Sequence, residues 1–181
     1  MTCFVDFDCV LNDFHEVLIR EYNQRYYKSV HVENITSWDW PEGDKVGLRA
    51  IYEEPDFWVN FVRPLPDIHV WLYKIFDITP GVIATHISTN EEATDKMRWF
   101  DTHMPYFKKR VFIGTDKTLI VKEGDIVIDD HPVILQVARR AGAHTLALDR
   151  PWNQEKSDPP WDGWRGDHHD VLKAVEALTA T

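Results

Sequence analysis

The sequence predicts an α/β fold in which helices flank a parallel sheet and a small helical segment is inserted after the first strand. Short apolar runs of β-forming residues recur along the chain, and segments with helical character lie between them. Strand–helix alternation of this kind is typical of a parallel sheet. Residues 14–64 contain no convincing strand, and this interruption predicts the insertion.

The predicted elements follow one another along the chain. Residues 2–6 form the first strand, and residues 14–27 form an amphipathic helix at the start of the insertion. Further on, strands at 81–85, 110–113, 125–128 and 145–148 alternate with helices at 90–103, 132–142 and 167–178. Residues 151–166 are dense in Pro, Gly, Asp and Trp, which predicts a loop held in place by its aromatic rings.

Size and charge limit the function classes. A chain of 181 residues, 44% of them hydrophobic, can form one compact domain. Its net charge of −10 disfavours binding of a nucleic acid polymer. No apolar run approaches the roughly 20 residues of a membrane span, and the first residues are acidic where a secretory signal is basic. We therefore expect a cytoplasmic protein without membrane contact; the sequence leaves the number of subunits open, a homodimer included.

Two acidic clusters carry the candidate chemistry. Asp6 and Asp8 lie two positions apart, so a strand continuing through them would place both carboxylates on one face. Asp129 and Asp130 end another predicted strand, and the carboxyl ends of neighbouring parallel strands converge. Carboxylate ligands suit Mg²⁺ better than zinc. Either cluster alone is typical of solvated turn residues, whereas the two together indicate a metal site.

Two more residues lie near predicted strand ends. Thr85 offers a hydroxyl and Lys117 an ammonium, and the pair could hold a phosphate. Taken singly, each is more typical of ordinary surface.

Four segments resemble, in order, the motifs of the haloacid dehalogenase (HAD) superfamily of phosphohydrolases. DFDCVLND is similar to the first motif, GVIAT to the second, Lys117 to the third and GDIVIDDHP to the fourth. Within that superfamily the chain most resembles the 5′(3′)-deoxyribonucleotidases, through ITSWDW, EPDFWVNFVRPLPD, DKT and IDDHP. The resemblance extends to about Asn153. It implies a Rossmann-like core, residues 1–13 and 65–181, and a helical cap, residues 14–64.

The resemblance also implies a mechanism that depends on Mg²⁺. Asp6 would be the nucleophile that forms an aspartyl-phosphate, and Asp8 would be the general acid and base. The metal would be held by Asp6, by the backbone carbonyl of Asp8 and by Asp130, with Asp129 as a co-ligand or close neighbour.

Other motif residues would assist phosphoryl transfer. By the same resemblance, Lys117 would offset the negative charge of the phosphate and Thr85 would hold a phosphate oxygen. Three positions depart from the family pattern: Cys9 replaces a glycine, His86 stands where serine is usual, and Thr115 replaces an arginine. His86 is a candidate substrate-binding residue in place of the serine.

The cap is expected to select the leaving group. Phe57, Trp58 and Val59 match positions that line the nucleoside pocket in the resembling family, although Phe57 and Trp58 fit the interior of the cap equally well. The expected activity is hydrolysis of (deoxy)ribonucleoside monophosphates, small-molecule nucleotides, to nucleoside and phosphate. The alternatives are a HAD phosphatase of another small ester and a non-catalytic nucleotide-binding protein.

Overall fold

A six-stranded parallel sheet lies at the centre of the protein. The computed structural model describes residues 1–38 and 45–180. The strands are β1 (Cys3–Asp6), β2 (Gly81–His86), β3 (Val111–Gly114), β4 (Ile126–Asp129), β5 (His144–Leu148) and β6 (Arg165–Gly166). They lie in the order β3-β2-β1-β4-β5-β6, and every neighbouring pair is parallel. The predicted α/β fold with a parallel sheet is confirmed.

The side chains of β1 point alternately to the two faces of the sheet, and both faces are apolar, which suits a strand in the middle of the sheet. Cys3 and Val5 belong to the larger hydrophobic core, and Phe4 belongs to the smaller core on the other face. Val127 of β4 joins Phe4 in that smaller core. Strands buried on both faces appear in a sequence as continuous apolar runs, which is why these runs were recognisable.

Seven α-helices surround the sheet in the described part of the chain. They are α1 (Phe14–Tyr26), α2 (Lys45–Tyr52), α3 (Phe57–Phe61), α4 (Ile68–Ile78), α5 (Asn90–His103), α6 (Pro132–Arg140) and α7 (His168–Thr179). The helix predicted at 90–103 is confirmed at both ends, and the other three predicted helices are confirmed to within two residues. The sequence interpretation did not identify α4 or β6.

The segment between β1 and α4 leaves the sheet and returns to it at one place. Asn12 and Pro64 form an isolated antiparallel bridge, and the backbone N–H of Asp13 donates to the carbonyl of Arg63 at 3.1 Å. Helices α1, α2 and α3 lie in the chain segment between these paired residues. The division into a core and a cap at residues 14–64 stays a prediction. Residues 39 and 40, the last two of ITSWDW, lie outside the described residues.

Helix α3 is bound to α5. The backbone N–H of Trp58 donates to Asp95 Oδ2 at 2.8 Å, and Trp99 Nε1 donates to the carbonyl of Val62 at 2.9 Å. These bonds join the inserted segment to the helix that follows β2.

The loop before α7 is held by aromatic rings, as predicted. Trp152 and Trp161 are buried, whereas Trp164 is 39% exposed. Asp167 caps α7 by accepting a hydrogen bond from the backbone N–H of Asp170 at 2.9 Å. Among the described helices, none has both the length and the apolar character needed to cross a membrane.

Candidate active site

A cavity of about 610 Å³ lies between the carboxyl edge of the sheet and the inserted helices. Asp6, Asp8 and Lys117 line it on the sheet side. Phe14 and Trp58 line it on the other side. The cavity therefore brings together charged groups at strand ends and aromatic rings of the inserted segment.

Three carboxylates meet beneath this cavity. The register of β1 against β4 pairs Val5 with Ile128, so Asp6 and Asp129 follow side by side. One carboxylate oxygen from each of Asp6, Asp129 and Asp130 lies within 4.8 Å of the others, and all three residues are buried. Buried carboxylates this close repel one another unless a cation neutralises them.

The hydrogen bonds of the two consecutive aspartates differ. Asp129 Oδ1 accepts from the backbone N–H of His131 at 2.8 Å, and its Oδ2 contacts Lys117 Nζ at 2.7 Å. Asp130 Oδ2 accepts from Trp152 Nε1 at 3.0 Å, but its Oδ1 is buried without a protein partner. A buried carboxylate oxygen left unbonded is costly, so these residues fit a divalent cation bound by Asp130.

Lys117 joins two members of the acidic cluster. It follows β3 at the start of a 3₁₀ turn, Lys117–Ile120, that Asp116 caps by accepting from the backbone N–H of Thr118 at 2.9 Å. Its ammonium contacts Asp6 Oδ1 as well as Asp129. Burial raises the pKa of Asp6 to about 6, although the neighbouring Lys117 acts to lower it.

Asp8 is paired with a different cation. Strand β1 ends at Asp6, so the period-two placement of Asp8 considered from the sequence does not apply. Asp8 Oδ2 accepts from Lys96 Nζ at 2.8 Å, and its Oδ1 is buried without a partner. Burial raises the pKa of Asp8 to about 6, because desolvation outweighs the opposite effect of Lys96.

The two residues that end β2 have different surroundings. Thr85 is fully buried, and its hydroxyl accepts from Lys96 Nζ at 3.1 Å; it lies outside the cavity lining. Its role in holding a phosphate oxygen stays a prediction. His86 is exposed and lines the cavity, as does Thr115.

Of the three expected pocket residues in the inserted segment, only Trp58 lines the cavity. Its ring stacks on Phe14 with centroids 4.6 Å apart and planes 16° apart. Phe57 is fully buried behind Trp58, with ring centroids 5.9 Å apart, and Val59 also lies outside the lining. Phe57 therefore supports Trp58 from the core.

The structure explains the preference for glycine at position 9. Cys9 has a φ of 61°, in the left-handed region that favours glycine. Its thiol is buried, and burial raises the pKa of that thiol well above its ordinary value. Cys9 is thus a strained structural replacement with little thiolate character.

Several site residues were missed by sequence reasoning. Lys96 and Trp152 bond the catalytic candidates Asp8 and Asp130, and His131, His15 and Trp38 line the cavity. Glu92 and Lys96 are spaced as an i,i+4 pair, a spacing equally typical of an exposed helix face, so the pattern did not distinguish Lys96.

Solved structures of HAD hydrolases share this fold. A phosphatase-like protein from Clostridium acetobutylicum superposes with a TM-score of 0.65 at 11% sequence identity, covering 97% of this chain and 98% of that one. A HAD family hydrolase from Deinococcus radiodurans, solved with bound phosphate and sodium, gives a TM-score of 0.63 at 13% identity, covering 98% and 95%. The Rossmann-like HAD core expected from the sequence is confirmed.

Two curated relatives are similar in sequence. A Bordetella pertussis protein named provisionally as a 5′(3′)-deoxyribonucleotidase is 28% identical over 181 residues, covering 91% of this chain and 94% of the relative. The human 5′(3′)-deoxyribonucleotidase, cytosolic type, is 27% identical over 154 residues, covering 72% and 70%.

The family model described as 5′ nucleotidase, deoxy (pyrimidine), cytosolic type C protein matches residues 1–173. The matched residues include the acidic cluster, Lys117 and the inserted segment that lines the cavity. The family resemblance predicted from the motifs is confirmed, and the protein is a phosphoric monoester hydrolase with the fold of the HAD hydrolases. The chain belongs to the 5′ nucleotidase, deoxy (pyrimidine), cytosolic type C family.

Proposed function

We propose that the protein hydrolyses deoxyribonucleoside monophosphates to nucleoside and phosphate through an aspartyl-phosphate on Asp6, with Mg²⁺ as the cofactor. One observation carries the proposal. Asp130, which has one buried oxygen without a partner, clusters with Asp129 and with the Asp6–Lys117 pair, beneath a cavity of about 610 Å³ with aromatic walls. Two relatives with 5′(3′)-deoxyribonucleotidase names support this class of substrate.

Asp6, the backbone carbonyl of Asp8 and Asp130 would hold the Mg²⁺ ion, and Asp129 would support it from its bond to Lys117. The ion supplies positive charge that lets an anionic nucleophile approach an anionic phosphate. The three-carboxylate oxygen set is the kind that hard divalent cations prefer.

The reaction has two steps on this chain's own groups. A carboxylate oxygen of Asp6 attacks phosphorus while the bond from phosphorus to the nucleoside oxygen breaks, and Asp8 gives that oxygen a proton. A water molecule then attacks the aspartyl-phosphate, Asp8 takes back a proton, and phosphate leaves. The raised pKa of Asp8 supports its role as an acid near neutral pH. Lys117 stabilises charge on the transferring oxygens.

Trp58 would contact the nucleoside, since it is the expected pocket residue that lines the cavity. His86 would contact the phosphate side of the substrate, because it ends β2 on the sheet side of the cavity, where Asp6 and Lys117 also lie. Action in the cytoplasm is part of this proposal, in line with the cytosolic type of the human relative. The homodimer remains a prediction.

The test is phosphate release from deoxyribo- and ribonucleoside 5′- and 3′-monophosphates, with sugar phosphates beside them, with and without Mg²⁺. Asp6→Asn should lower turnover at least about a thousandfold, because the nucleophile is lost. Asp162→Asn is the matched control, since Asp162 is an exposed aspartate that pairs with Arg139 outside the cavity lining.

The outcomes separate the proposal from its alternatives. Fastest release from deoxynucleotides, lost in Asp6→Asn, supports it. Preference for another ester would replace the substrate class but keep the chemistry of Asp6. Activity that survives in Asp6→Asn would contradict the aspartyl-phosphate. Release from no ester would favour a non-catalytic nucleotide-binding protein.

A further inference from the structure

Lys96 is a buried cation that the proposed reaction does not use. It lies in the middle of α5, and its side chain is 1% exposed. Its ammonium donates to Asp8 Oδ2 at 2.8 Å, to Thr85 Oγ1 at 3.1 Å and to the carbonyl of His86 at 2.8 Å, and it contacts Glu92 Oε1 at 2.9 Å. An ammonium group buried this deeply needs polar partners to offset its lost hydration. Contacts with four such partners restrict the Lys96 side chain to a single position.

The same ammonium contacts the inserted segment. Lys96 Nζ lies 4.3 Å from the ring centroid of Trp58, within the range of a cation–π interaction. The residue before it, Asp95, accepts from the backbone N–H of Trp58 at 2.8 Å. Two consecutive residues of α5 thus hold Trp58, and one of them also holds Asp8.

The bond to Lys96 fixes the orientation of the Asp8 carboxyl group, whose side chain is 15% exposed and lines the cavity. Oδ2 is bound, whereas Oδ1 is buried and has no partner. A carboxyl group with one oxygen held in place keeps a fixed orientation. Proton transfer requires the donor oxygen within hydrogen-bond reach of the leaving oxygen, so this orientation affects the rate.

We propose that Lys96 is a positioning residue that holds the Asp8 carboxyl group in a fixed orientation towards the leaving oxygen of a substrate stacked against Trp58. This inference rests on the proposed function, in which Asp8 donates the proton. In that step the bond from phosphorus to the leaving oxygen breaks, its electron pair stays on that oxygen, and the proton of Asp8 moves to it while Asp6 bonds to phosphorus. Lys96 takes no part in the bond changes.

A positioning role of this kind depends on the leaving group. A nucleoside alkoxide is a strong base and needs the proton, whereas p-nitrophenolate is a weak base and leaves without it. The ratio kcat/KM reports only the steps through departure of the leaving group, so later hydrolysis of the aspartyl-phosphate does not mask the effect. A general loss of structure or of metal would instead affect both kinds of ester.

The experiment measures kcat/KM with saturating Mg²⁺ for a deoxynucleoside monophosphate and for p-nitrophenyl phosphate. Lys96→Met should lose about a hundredfold or more on the nucleotide, the usual contribution of general acid catalysis, and less than about fivefold on p-nitrophenyl phosphate. Lys108→Met is the matched control and should change neither value, because Lys108 pairs with Asp101 on the surface of the same region.

A double-mutant cycle with Asp8→Asn completes the test. If Lys96 acts through Asp8, Lys96→Met should cost little in the Asp8→Asn background. Thermal denaturation checks that each variant is folded, and Lys96→Gln, whose amide group keeps two N–H donors but no charge, replaces Lys96→Met if the latter does not fold.

Equal losses on both esters, or additive losses in the cycle, would overturn the positioning role. A wild-type enzyme that hydrolyses a different alkyl phosphate would contradict the proposed substrate alone, and the same comparison with that ester would still decide the role of Lys96. A wild type that hydrolyses no ester would contradict both.

Discussion

At the scale of single residues, Trp152 completes the acidic cluster from a distant loop. Its indole N–H donates to Asp130 Oδ2 at 3.0 Å, while the other oxygen of Asp130 is free for a metal. A group that hydrogen-bonds a metal ligand holds that ligand in the orientation the metal requires. Losing such a group typically lowers metal affinity about 10- to 100-fold. Trp152→Phe should therefore raise the Mg²⁺ concentration for half-maximal activity by about tenfold or more.

Trp161→Phe is the matched control for this change. Trp161 is equally buried in the same loop, and its indole donates to the carbonyl of Trp164 at 3.1 Å, away from the acidic cluster. Both variants should lose about 1–3 kcal/mol of stability from an unbonded acceptor. Only Trp152→Phe should change the Mg²⁺ titration, and an equal change in both variants would refute the role of Trp152.

His15 should make stability dependent on pH. Its ring lies 5.0 Å from the ring of Trp38 and 4.2 Å from that of Trp152, and its Nδ1 is buried without a partner. Burial, with a smaller effect of Arg150, lowers the pKa of His15 from 6.5 to about 3. As the pH falls, His15 is therefore protonated in the unfolded chain before it is protonated in the folded protein. Its contribution to the unfolding free energy is fully present above about pH 6.5 and is lost as the pH falls towards 3.

His15→Phe removes this proton and keeps a ring between the tryptophans. Between pH 8 and pH 5 the variant should lose about 2 kcal/mol less unfolding free energy than the wild type, as measured by urea denaturation. His169→Phe, an exposed histidine of α7, is the control and should keep most of the wild-type slope. Parallel curves for the wild type and His15→Phe would show that His15 is not buried as a neutral ring.

At the scale of elements, α5 shows which features a sequence reveals. Thr89, the N-cap residue that precedes α5, accepts from the backbone N–H of Glu92 at 3.1 Å, and Glu92 Oε2 accepts from the backbone N–H of Ser88 at 2.8 Å. This exchange of bonds satisfies two donors at the helix start. Thr89→Ala should cost about 1 kcal/mol of stability in urea denaturation.

Thr94→Ala is the matched substitution within the same helix. Thr94 is exposed, and its hydroxyl bonds only to the carbonyl of Asn90 at 3.0 Å inside the helix. Alanine is the better helix former at such a position, so this variant should lose no stability. If both variants lost the same amount, the cap at Thr89 would contribute nothing specific.

The elements that sequence reasoning missed lack local signals of this kind. Helix α4 has no side-chain cap bond at Asp67, and it is rich in β-branched and aromatic residues that do not favour helices. Strand β6 has two residues and exists because it pairs with β5. Tertiary contacts, which the sequence does not display, decide both elements.

The candidate site divides in the same way. Asp6, Asp8, Lys117 and Asp130 were predictable because the ends of parallel strands meet at one edge of the sheet. The contacts of Lys96, by contrast, depend on how α5 packs against β1 and β2. Motif spacing locates the reacting groups, and packing supplies the groups that hold them.

At the scale of the whole molecule, the buried acidic cluster is expected to destabilise the folded protein. The chain carries a net charge of −10, and three of its carboxylates are buried together around one ammonium, that of Lys117. Burial raises the pKa of Asp130 well above its ordinary value, and the nearby negative charges of Asp6 and Asp129 raise it further. Without a bound cation, this cluster should therefore lower the stability of the folded protein.

Asp130→Asn should reveal that cost without any measurement of activity. With a chelator present, the Tm of the variant should equal or exceed that of the wild type, because one buried charge is gone. Mg²⁺ at about a hundred times its Kd should stabilise the wild type by about 2.7 kcal/mol, a rise in Tm of about 5–10 °C. The variant should rise much less, since Asp130 contributes the free ligand oxygen.

Asp162→Asn serves as the control for general effects of Mg²⁺ on an acidic protein. Asp162 is 84% exposed, so its variant should show the full wild-type rise in Tm. Differential scanning fluorimetry over a Mg²⁺ series measures all three proteins together. A rise in Asp130→Asn as large as in the wild type would place the cation elsewhere. A variant less stable than the wild type in chelator would mean that Asp130 stabilises the metal-free fold, against the unbonded state of its Oδ1.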